Sequence, residues 1–412
     1  MNRLSAVKEI KVSLDFGQSA IPVGRLALRD HRIYFAYEAS FIEQGMEISP
    51  CILPLKAELT SFDNTLFEGL PGVFNDSLPD GWGRLLFDRL AQTQGVLPSE
   101  LSPLDRLAYV GNHGMGALVY EPEIILKSEN GTIRLDNIAQ QALEVLKGSS
   151  EDVLQELLAL NGSSAGARPK ALIGVSKDRK QIIHGSQTLK EGYEPWLVKF
   201  PNSHDGLDSG AIEYVYALMA KRAGIEMADV HLFPTCEGPG YFATKRFDRD
   251  GNKRLHMHTA CGLLHSDFRL PSLDYEDLIG LTSIMTHDIR EMEKMFRLAV
   301  FNVLAHNRDD HAKNFSFLMD EKGLWKLSPA YDLTFSSGPG GEQSTMVMGE
   351  GKSPGVEHLT KLGKEAKLSN SRITEIIGQT QASVANWPTL AKHYGVTKAK
   401  TNIIAKRLGV AK

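Results

Sequence analysis

Residues 306–317 read HNRDDHAKNFSF and concentrate two histidines, two aspartates, two asparagines and two cations in one short segment. The segment HDIREMEKMFRLAVFNVLAH at 287–306 repeats apolar side chains every three or four positions, which predicts a helix with one buried face. The segment NFSFLMDEKGLWKLSPAYDL at 314–333 is typical of a strand, a turn and a second strand. The polar residues therefore lie between a buried helix and a hairpin, where a metal site, a phosphate site or a polar helix end are all compatible with them. The buried face of the helix is predicted to consist of Ile289, Met292, Phe296, Ala299, Val300 and Val303.

The predicted hairpin decides which polar side chains meet. Because a short hairpin brings its two ends together, Asp332 is expected near Asp309 and Asn314. Oxygen ligands of this kind suit Mg²⁺, whose coordination is usually completed by water and substrate phosphates. Zinc fits less well, since His306 and His311 lack the spacing of a helical zinc pair and no cysteine accompanies them. A polar helix end is the simpler explanation of two adjacent aspartates, but it does not explain why the hairpin returns another one.

The spacing D-x-x-x-x-N from Asp309 to Asn314 is that of the protein-kinase catalytic loop. In that loop the Asp accepts the proton of the substrate hydroxyl, and the Asn holds a metal ion. The triplet 331–333, Tyr-Asp-Leu, stands where such enzymes carry a second metal-holding Asp. The match is one of role and order. A kinase also needs a lysine on a strand and a loop that covers the phosphates.

Two further segments fit those needs. Lys199 interrupts the apolar strand WLVKFP, and Glu213 on the helix predicted over 209–223 is placed to pair with it. Taken alone, Lys199 is equally well explained as an edge-strand lysine that prevents aggregation, and Glu213 as an acid in the first turn of a helix. The segment NGSSAGARPK at 161–170 has small residues that would let backbone N–H groups approach phosphates. By itself it is better explained as a Gly/Ser turn.

Length and composition restrict the class of protein. The chain has 412 residues, which predicts two or three domains, and its net charge of −4 argues against a general nucleic-acid or membrane-binding surface. Its three cysteines lie far apart, which argues against disulfides and thiolate zinc sites. The N-terminus lacks the apolar segment of a signal peptide, and no apolar run is long enough for a bilayer, so a cytoplasmic location is predicted.

The order of patterns along the chain predicts an α+β fold. Residues 7–60 alternate like a small antiparallel sheet, residues 136–250 mix helices with short strands, and the chain is mostly helical from about residue 270. The segment GNHGMGALVYEP at 111–122 has no phosphate-binding spacing and is interpreted as a turn beside a short strand. Two lobes with a cleft between them are expected.

Together these motifs resemble the HipA-like serine/threonine kinases, which are toxins of bacterial toxin–antitoxin modules. FNDSLPDGWG, GSSAGARPKALI, WLVKFP, KRFDR, NRDDHAKNFSF and SPAYDLTFS occur in family order along most of the chain. The resemblance implies a two-lobed protein-kinase-like fold with a mixed α/β N-terminal lobe, an extra N-terminal sub-domain and an all-α C-terminal lobe. The expected ranges are 1–125 for the sub-domain, 126–250 for the N-terminal lobe with the phosphate loop and hinge, and 251–412 for the C-terminal lobe.

The resemblance also implies roles for individual residues. Asp309 looks like the catalytic residue that activates the acceptor serine, and Asn314 and Asp332 look like the ligands of Mg²⁺ bound to ATP. Glu213 is expected to form a supporting ion pair with the strand lysine, and Ser163 stands where relatives phosphorylate and inactivate themselves. The residues expected to bind ATP are Ala165, Gly166, Ala167, Arg168, Pro169 and Lys170 in the phosphate loop, Lys199 on its strand, Lys245, Arg246 and Phe247 in the hinge, and His311, Ala312, Lys313, Asn314, Tyr331 and Asp332.

Two features leave assignments open. Asp310 is a second candidate base, and Asp309 is preferred because it alone keeps the spacing to Asn314. The Arg168–Pro169 pair replaces the Gln-Glu that is common in the family, and the proline lacks an N–H that could bind a phosphate.

The implied function is that of a kinase that phosphorylates a serine on a protein of the translation machinery, for example an aminoacyl-tRNA synthetase. A HipB-like helix-turn-helix antitoxin is the expected partner and would provide most contacts to operator DNA, while no membrane partner is expected. Two other functions remain open: a catalytically weak nucleotide-binding co-repressor that acts with the antitoxin, and a kinase for small molecules. The set of Asp309, Asn314, Asp332 and Lys199 favours catalysis, because binding alone requires no base.

Overall fold

The computed structural model describes residues 6–411, with gaps at 125–130, 149–153, 155, 159, 161–165, 186–188, 203–204 and 271. Its N-terminal part is a five-stranded antiparallel sheet in the order β4-β3-β2-β1-β5. The predicted alternation builds this sheet, because Ile10, Val12 and Leu14 are buried and their neighbours are not. The elements are β1 (Glu9–Leu14), β2 (Ile21–Arg29), β3 (Arg32–Tyr37), α1 (Ala39–Gln44), β4 (Thr60–Ser61), α2 (Gly72–Asn75), α3 (Gly81–Thr93), α4 (Pro103–Val110) and β5 (Leu118–Glu121).

A second five-stranded sheet has the order β7-β6-β8-β10-β9, so that the strand carrying Lys199 is central. In this sheet Lys199 pairs in register with Lys170 of the neighbouring strand. The explanation of Lys199 as an edge-strand residue is therefore wrong, and the helix predicted over 209–223 is confirmed. The elements are α5 (Leu135–Lys147), β6 (Lys170–Ser176), β7 (Ile182–His184), β8 (Tyr193–Lys199), α6 (Ser209–Arg222), β9 (Val230–Phe233) and β10 (Tyr241–Lys245).

The C-terminal part is mostly helical, but the expectation of an all-α lobe needs a correction. The predicted hairpin of β15 and β16 is joined by β13 into a three-stranded antiparallel sheet, and β14 pairs with β17 in a short parallel ladder. The four-residue strand β13, with the sequence HMHT, is too short to show a period of its own. The elements are β11 (Arg249–Asp250), β12 (Lys253–Arg254), β13 (His256–Thr259), α7 (Ala260–Leu263), β14 (Leu273–Asp274), α8 (Tyr275–Thr286), α9 (Ile289–Leu304), β15 (Ser316–Met319), β16 (Trp325–Leu327), β17 (Thr345–Met346), α10 (Val356–Glu365), α11 (Asn370–Val384), α12 (Trp387–His393) and α13 (Lys398–Arg407).

Helix α9 positions the polar segment at its C-terminal end. Asp288 caps its first turn by accepting a hydrogen bond from the backbone of Arg290, and the interior residues Phe296 and Val300 are fully buried. The helix ends at Leu304, and His306 adopts a left-handed backbone conformation with φ of 53° that turns the chain out of the helix. Among the described helices, none is long and apolar enough to cross a membrane.

Three large hydrophobic cores among the described residues hold these elements together. The first lies under the N-terminal sheet, and the third joins α6 and α9 to the helices that follow. The second joins the second sheet to α3, whose Trp82, Leu86 and Phe87 are buried in it. Helix α3 belongs to the expected N-terminal sub-domain, so this sub-domain packs directly on the sheet that carries Lys170 and Lys199. The expected domain boundaries themselves stay a prediction.

Candidate active site

A cavity of about 510 Å³ lies between the second sheet, helix α6 and the segment that follows α9. Of the predicted residues that the structure describes, Pro169 and Ala312 do not line this cavity. Ser163 and Ala165 lie outside the described residues. The predicted residues that do line the cavity are Gly166, Ala167, Arg168, Lys170, Lys199, Glu213, Lys245, Arg246, Phe247, Asp309, His311, Lys313, Asn314, Tyr331 and Asp332.

Lys199 bridges two carboxylates on the cavity floor. Its Nζ donates to Oε1 of Glu213 on α6 at 2.5 Å and to Oδ1 of Asp332 after the hairpin, also at 2.5 Å. Burial opposes ionisation of Asp332, but the ammonium group of Lys199 outweighs it and lowers the pKa of Asp332 well below its usual range. Burial likewise disfavours the charged lysine, yet Asp332 and Glu213 raise the pKa of Lys199 above its ordinary value. Lys199 and Asp332 are therefore both ionised at neutral pH.

Lys170 places a second ammonium group beside the first. It is 5% exposed, and burial together with the charge of Lys199 lowers the pKa of Lys170 to about 8. The loop ahead of it approaches closely, because a Cβ added to Gly166 would lie 2.3 Å from the Nζ of Lys170. Gly166 also has a φ of +110°, which L side chains rarely adopt. This combination of a glycine turn and two lysines is suited to anions with several negative charges.

Asp309 and Asp310 have different surroundings. Asp309 lines the cavity, and burial raises its pKa, although the neighbouring His311 opposes the shift. Asp310 is fully buried behind the cavity wall, where Tyr275 and Gln343 donate to its Oδ2 at 2.6 Å and 2.9 Å. The backbone N–H groups of residues 344 and 345 donate to its Oδ1 at 3.0 Å and 3.2 Å. Asp310 thus uses both oxygens to hold the chain that packs behind the segment, and only Asp309 faces the cavity.

Asn314 and Asp332 provide oxygen atoms that suit a hard divalent cation. The Nδ2 of Asn314 donates to the backbone carbonyl of Asp309 at 2.7 Å, which orients the amide and leaves Oδ1 as the atom for a metal. Asp332 is ionised, and both residues line the cavity. Two oxygen donors fit Mg²⁺, because Mg²⁺ retains water and shares substrate phosphates, and they do not fit a dedicated all-protein metal cage. Within the described ranges, no three His, Cys, Asp or Glu side chains form such a cage.

The expected hinge lies at the end of strand β10. The backbone N–H of Arg246 donates to the carbonyl of Pro195 at 2.9 Å, while its guanidinium group is buried against Asp248 and the carbonyl of Gly114. The ring of Phe247 lies 5.5 Å from that of Tyr331, and both rings line the cavity. This end of the cavity therefore presents two aromatic rings, whereas the end at Lys199 is charged.

The N-terminal region contributes residues that sequence reasoning missed. Asp80, within FNDSLPDGWG, accepts the N–H of Gly166 and the Nζ of Lys313, the latter at 2.7 Å. Asp76 in the same motif accepts the N–H of Thr259 at 2.7 Å, and both acids line the cavity. Met115, from the glycine-rich segment interpreted as a turn, also lines it. The acids inside a Pro/Gly-rich motif were the available signal, but no local spacing connects them with residues so distant in the chain.

Comparison with known proteins places the chain in a family. The model of the HipA-like C-terminal domain matches residues 162–387, and that of the HipA N-terminal domain matches residues 15–121. Y4dM of Sinorhizobium fredii, named as a candidate kinase, is 26% identical over 383 residues, 88% of this chain and 84% of that protein. The serine/threonine-protein kinase toxin HipA of Shewanella oneidensis is 23% identical over 366 residues, 80% of this chain and 76% of that protein.

The fold is shared with a solved structure as well. A chain in the complex of HipA, HipB and operator DNA from Shewanella oneidensis MR-1 matches with a TM-score of 0.67 and 16% identity, over 97% of this chain and 95% of that chain. The predicted kinase-like α+β fold is therefore confirmed, with the three-stranded sheet as its correction. The C-terminal family model matches more than half of this chain, and the chain therefore belongs to the HipA-like family.

Proposed function

We propose that this chain is an ATP-dependent serine/threonine protein kinase and acts as the toxin of a HipA/HipB-like toxin–antitoxin module. The observation that carries the proposal is that a single cavity is lined by Asp309, Asn314, Asp332, Lys199 and Glu213, which come from four separate parts of the chain. A protein that only bound nucleotide would need the cations but not a carboxylate with a raised pKa beside them.

The proposed reaction transfers the γ-phosphoryl group of ATP to a serine hydroxyl. The serine oxygen forms a bond to the γ-phosphorus, the bond to the β,γ-bridging oxygen breaks, and ADP leaves with that oxygen. Asp309 orients the hydroxyl and accepts its proton. The raised pKa of Asp309 makes it a better proton acceptor than an ordinary carboxylate.

The remaining groups would hold the nucleotide. Lys199 and Lys170 would neutralise the phosphates, and the aromatic rings of Phe247 and Tyr331 would contact the adenine beside the hinge backbone. Asn314 and Asp332 would hold Mg²⁺, which supplies positive charge to the β- and γ-phosphates when it is bound. Mg²⁺ and the ammonium group of Lys199 would compete for the carboxylate of Asp332. When Mg²⁺ and ATP bind, Lys199 would therefore exchange its contact with Asp332 for contacts with the phosphates.

The proposed partners follow from the family. The Shewanella oneidensis relative is named as a kinase toxin, and the structure that shares the fold is a complex of HipA with HipB and operator DNA. We infer that a helix-turn-helix antitoxin of the HipB type binds this chain and mediates most contact with operator DNA. We also infer that the target is a serine of a translation protein, such as an aminoacyl-tRNA synthetase, and that autophosphorylation of Ser163 inactivates the enzyme.

The decisive experiment is incubation of the purified chain with γ-labelled ATP and Mg²⁺, followed by mapping of the phosphorylated residue. Label on Ser163 is expected in the wild type, and Asp309→Asn should reduce its rate by at least about 10²-fold while the fold, checked by circular dichroism, is retained. Expression of the wild type without its antitoxin should arrest growth, and Asp309→Asn should not. A chain that binds ATP but transfers no phosphate and does not arrest growth would instead be a nucleotide-binding co-repressor.

A further inference from the structure

Arg168 lies in the phosphate loop at the cavity, two positions before the buried Lys170. Its guanidinium group makes two contacts with carboxylates in the described part of the chain. The Nε lies 2.8 Å from Oδ2 of Asp205, and Nη1 lies 3.5 Å from Oε2 of Glu213. Glu213 is at the same time the partner of Lys199 through its other oxygen. Arg168 is therefore a third cation beside the two lysines.

Neither contact is the pairing that an arginine normally forms with a carboxylate. A guanidinium group presents five N–H donors in a planar fork and prefers two parallel hydrogen bonds to one anion. Here the two contacts go to different carboxylates, and the hydrogen bond to Glu213 is at the long limit of such bonds. Among the described residues, Oδ2 of Asp205 is buried and accepts no well-aligned hydrogen bond despite the short distance to Arg168. The side chain of Arg168 is also 31% exposed, so it can move without disturbing a core.

The charges around Arg168 locate it near the reaction centre. Its positive charge acts to lower the pKa of Asp309, where burial and His311 have larger effects, and that of Asp332, where burial and Lys199 have larger effects. The group therefore lies within range of both the proposed base and the proposed metal ligand. Lys199 and Lys170 are fixed on strands, whereas Arg168 is on a loop and carries a planar fork of N–H donors that matches two oxygens of one phosphate group.

We propose that the guanidinium group of Arg168 leaves Asp205 when ATP binds and donates hydrogen bonds to two oxygens of the γ-phosphoryl group during transfer. This inference rests on the proposed kinase function and adds a catalytic residue to it. Negative charge on the γ-phosphoryl oxygens is stabilised by a cation that is aimed at them in a partly buried site.

A purely structural role is the alternative, in which Arg168 only ties the phosphate loop to Asp205 and α6. Two variants separate the roles. Arg168→Gln removes the charge and keeps a side chain of related length, whereas Asp205→Asn removes the carboxylate from the same contact and leaves the arginine in place. If the contact between Arg168 and Asp205 is what matters, both variants should lose ATP affinity and transfer rate to the same extent. If the arginine acts on the γ-phosphoryl group, only Arg168→Gln should lose them.

Two measurements on the purified full-length chain are needed. The first is the affinity for ATP and for ADP in the presence of Mg²⁺, by isothermal titration calorimetry. Arg168→Gln is expected to weaken the binding of ATP about 10-fold and to leave the affinity for ADP unchanged, because ADP lacks the γ-phosphoryl group. The second is the rate of phosphoryl transfer in single-turnover reactions. Arg168→Gln should reduce it by about 10² or more, and Asp205→Asn should stay within about threefold of the wild type on both measures.

The outcomes separate this inference from the kinase function. Equal losses in Arg168→Gln and Asp205→Asn, or equal weakening of ATP and ADP, would overturn the role of Arg168 and leave the kinase function standing. Selective loss of ATP affinity in Arg168→Gln, in a chain that transfers no phosphate, would support the contact and overturn the kinase function. A wild type that binds neither nucleotide would overturn both.

Discussion

Asp80 and Lys313 are 233 positions apart in the chain, and Oδ2 of Asp80 lies 2.7 Å from Nζ of Lys313. The same carboxylate accepts the N–H of Gly166, so it joins the phosphate loop to the segment that carries Asp309 and Asn314. Burial opposes its ionisation, but Lys313 outweighs the effect and lowers the pKa of Asp80. The ring of Phe268 lies 4.5 Å from the ammonium group of Lys313 and completes its surroundings. The N-terminal region thus supports the site directly.

We expect Asp80→Asn to reduce kcat/KM for ATP by about 10- to 100-fold, since small displacements of loops at an active site have effects of this size. The variant keeps an oxygen for the N–H of Gly166 but leaves Lys313, whose side chain is 10% exposed, without this counter-charge. Steady-state phosphorylation at several ATP concentrations measures the effect.

The matched control for Asp80→Asn is Asp30→Asn, which removes a carboxyl that is 90% exposed in the same N-terminal region. It should be indistinguishable from the wild type. Unchanged kcat/KM in Asp80→Asn would show that the carboxylate between the two loops has no part in positioning them.

Removal of Mg²⁺ should separate the role of Asp332 from that of Lys199. In the absence of Mg²⁺, Lys199 keeps its short contact with Asp332, and ATP should bind at least about 10-fold more weakly to the wild type. Asp332→Asn should bind ATP with nearly the same affinity with Mg²⁺ and with EDTA, because it lacks the charged ligand. Titration of ATP under both conditions tests this, and a full Mg²⁺ effect in the variant would exclude Asp332 as a ligand.

The affinity for ATP should fall as the pH rises through about 8, because the pKa of Lys170 is lowered to about 8. Below that pH the amine is protonated and attracts phosphate, and above it the amine is neutral. We expect a decrease of about 10-fold between pH 7 and pH 9.5. Lys170→Arg keeps its charge throughout this range and should have a nearly flat profile. A wild-type profile that is equally flat would contradict the assignment of Lys170 to the phosphates.

Asp310 should make the folded chain less stable as the pH rises, which is the opposite of the effect of most carboxyl groups. Burial, only partly offset by the hydrogen bond from Tyr275, raises the pKa of Asp310 to about 6. A raised folded-state pKa means that its contribution to stability is fully present below about pH 4 and is lost as the pH rises through about 6. The loss is on the order of 3 kcal/mol, from about two pK units.

Urea unfolding of the wild type and Asp310→Asn between pH 4 and pH 7 isolates this contribution. As the pH rises, the free energy of unfolding of the wild type should fall relative to that of Asp310→Asn. The contributions of all other carboxyl groups are the same in both proteins and cancel in this difference. A difference that does not depend on pH would place the pKa of Asp310 at its ordinary value.

The sequence and the resemblance that it carries predicted the first sheet, helix α9 and about half of the residues that line the cavity. Periodicity of two predicted the strands of the first sheet, and the apolar pattern over 287–306 predicted α9, because both signals come from the repeat of the backbone itself. The spacing from Asp309 to Asn314 and the short hairpin were enough to bring Asp332 to the same place, since a hairpin of this length leaves its ends no other arrangement.

Tertiary structure decided what depends on contacts between distant segments. Only packing shows that Asp309 faces the cavity while Asp310 is enclosed by Tyr275 and Gln343, because adjacent residues differ in direction and not in spacing. The same holds for Asp80, for Met115 and for the position of β8 at the centre of its sheet. Contacts across more than two hundred residues leave no period in the sequence, since they are selected by the shape of the folded chain as a whole.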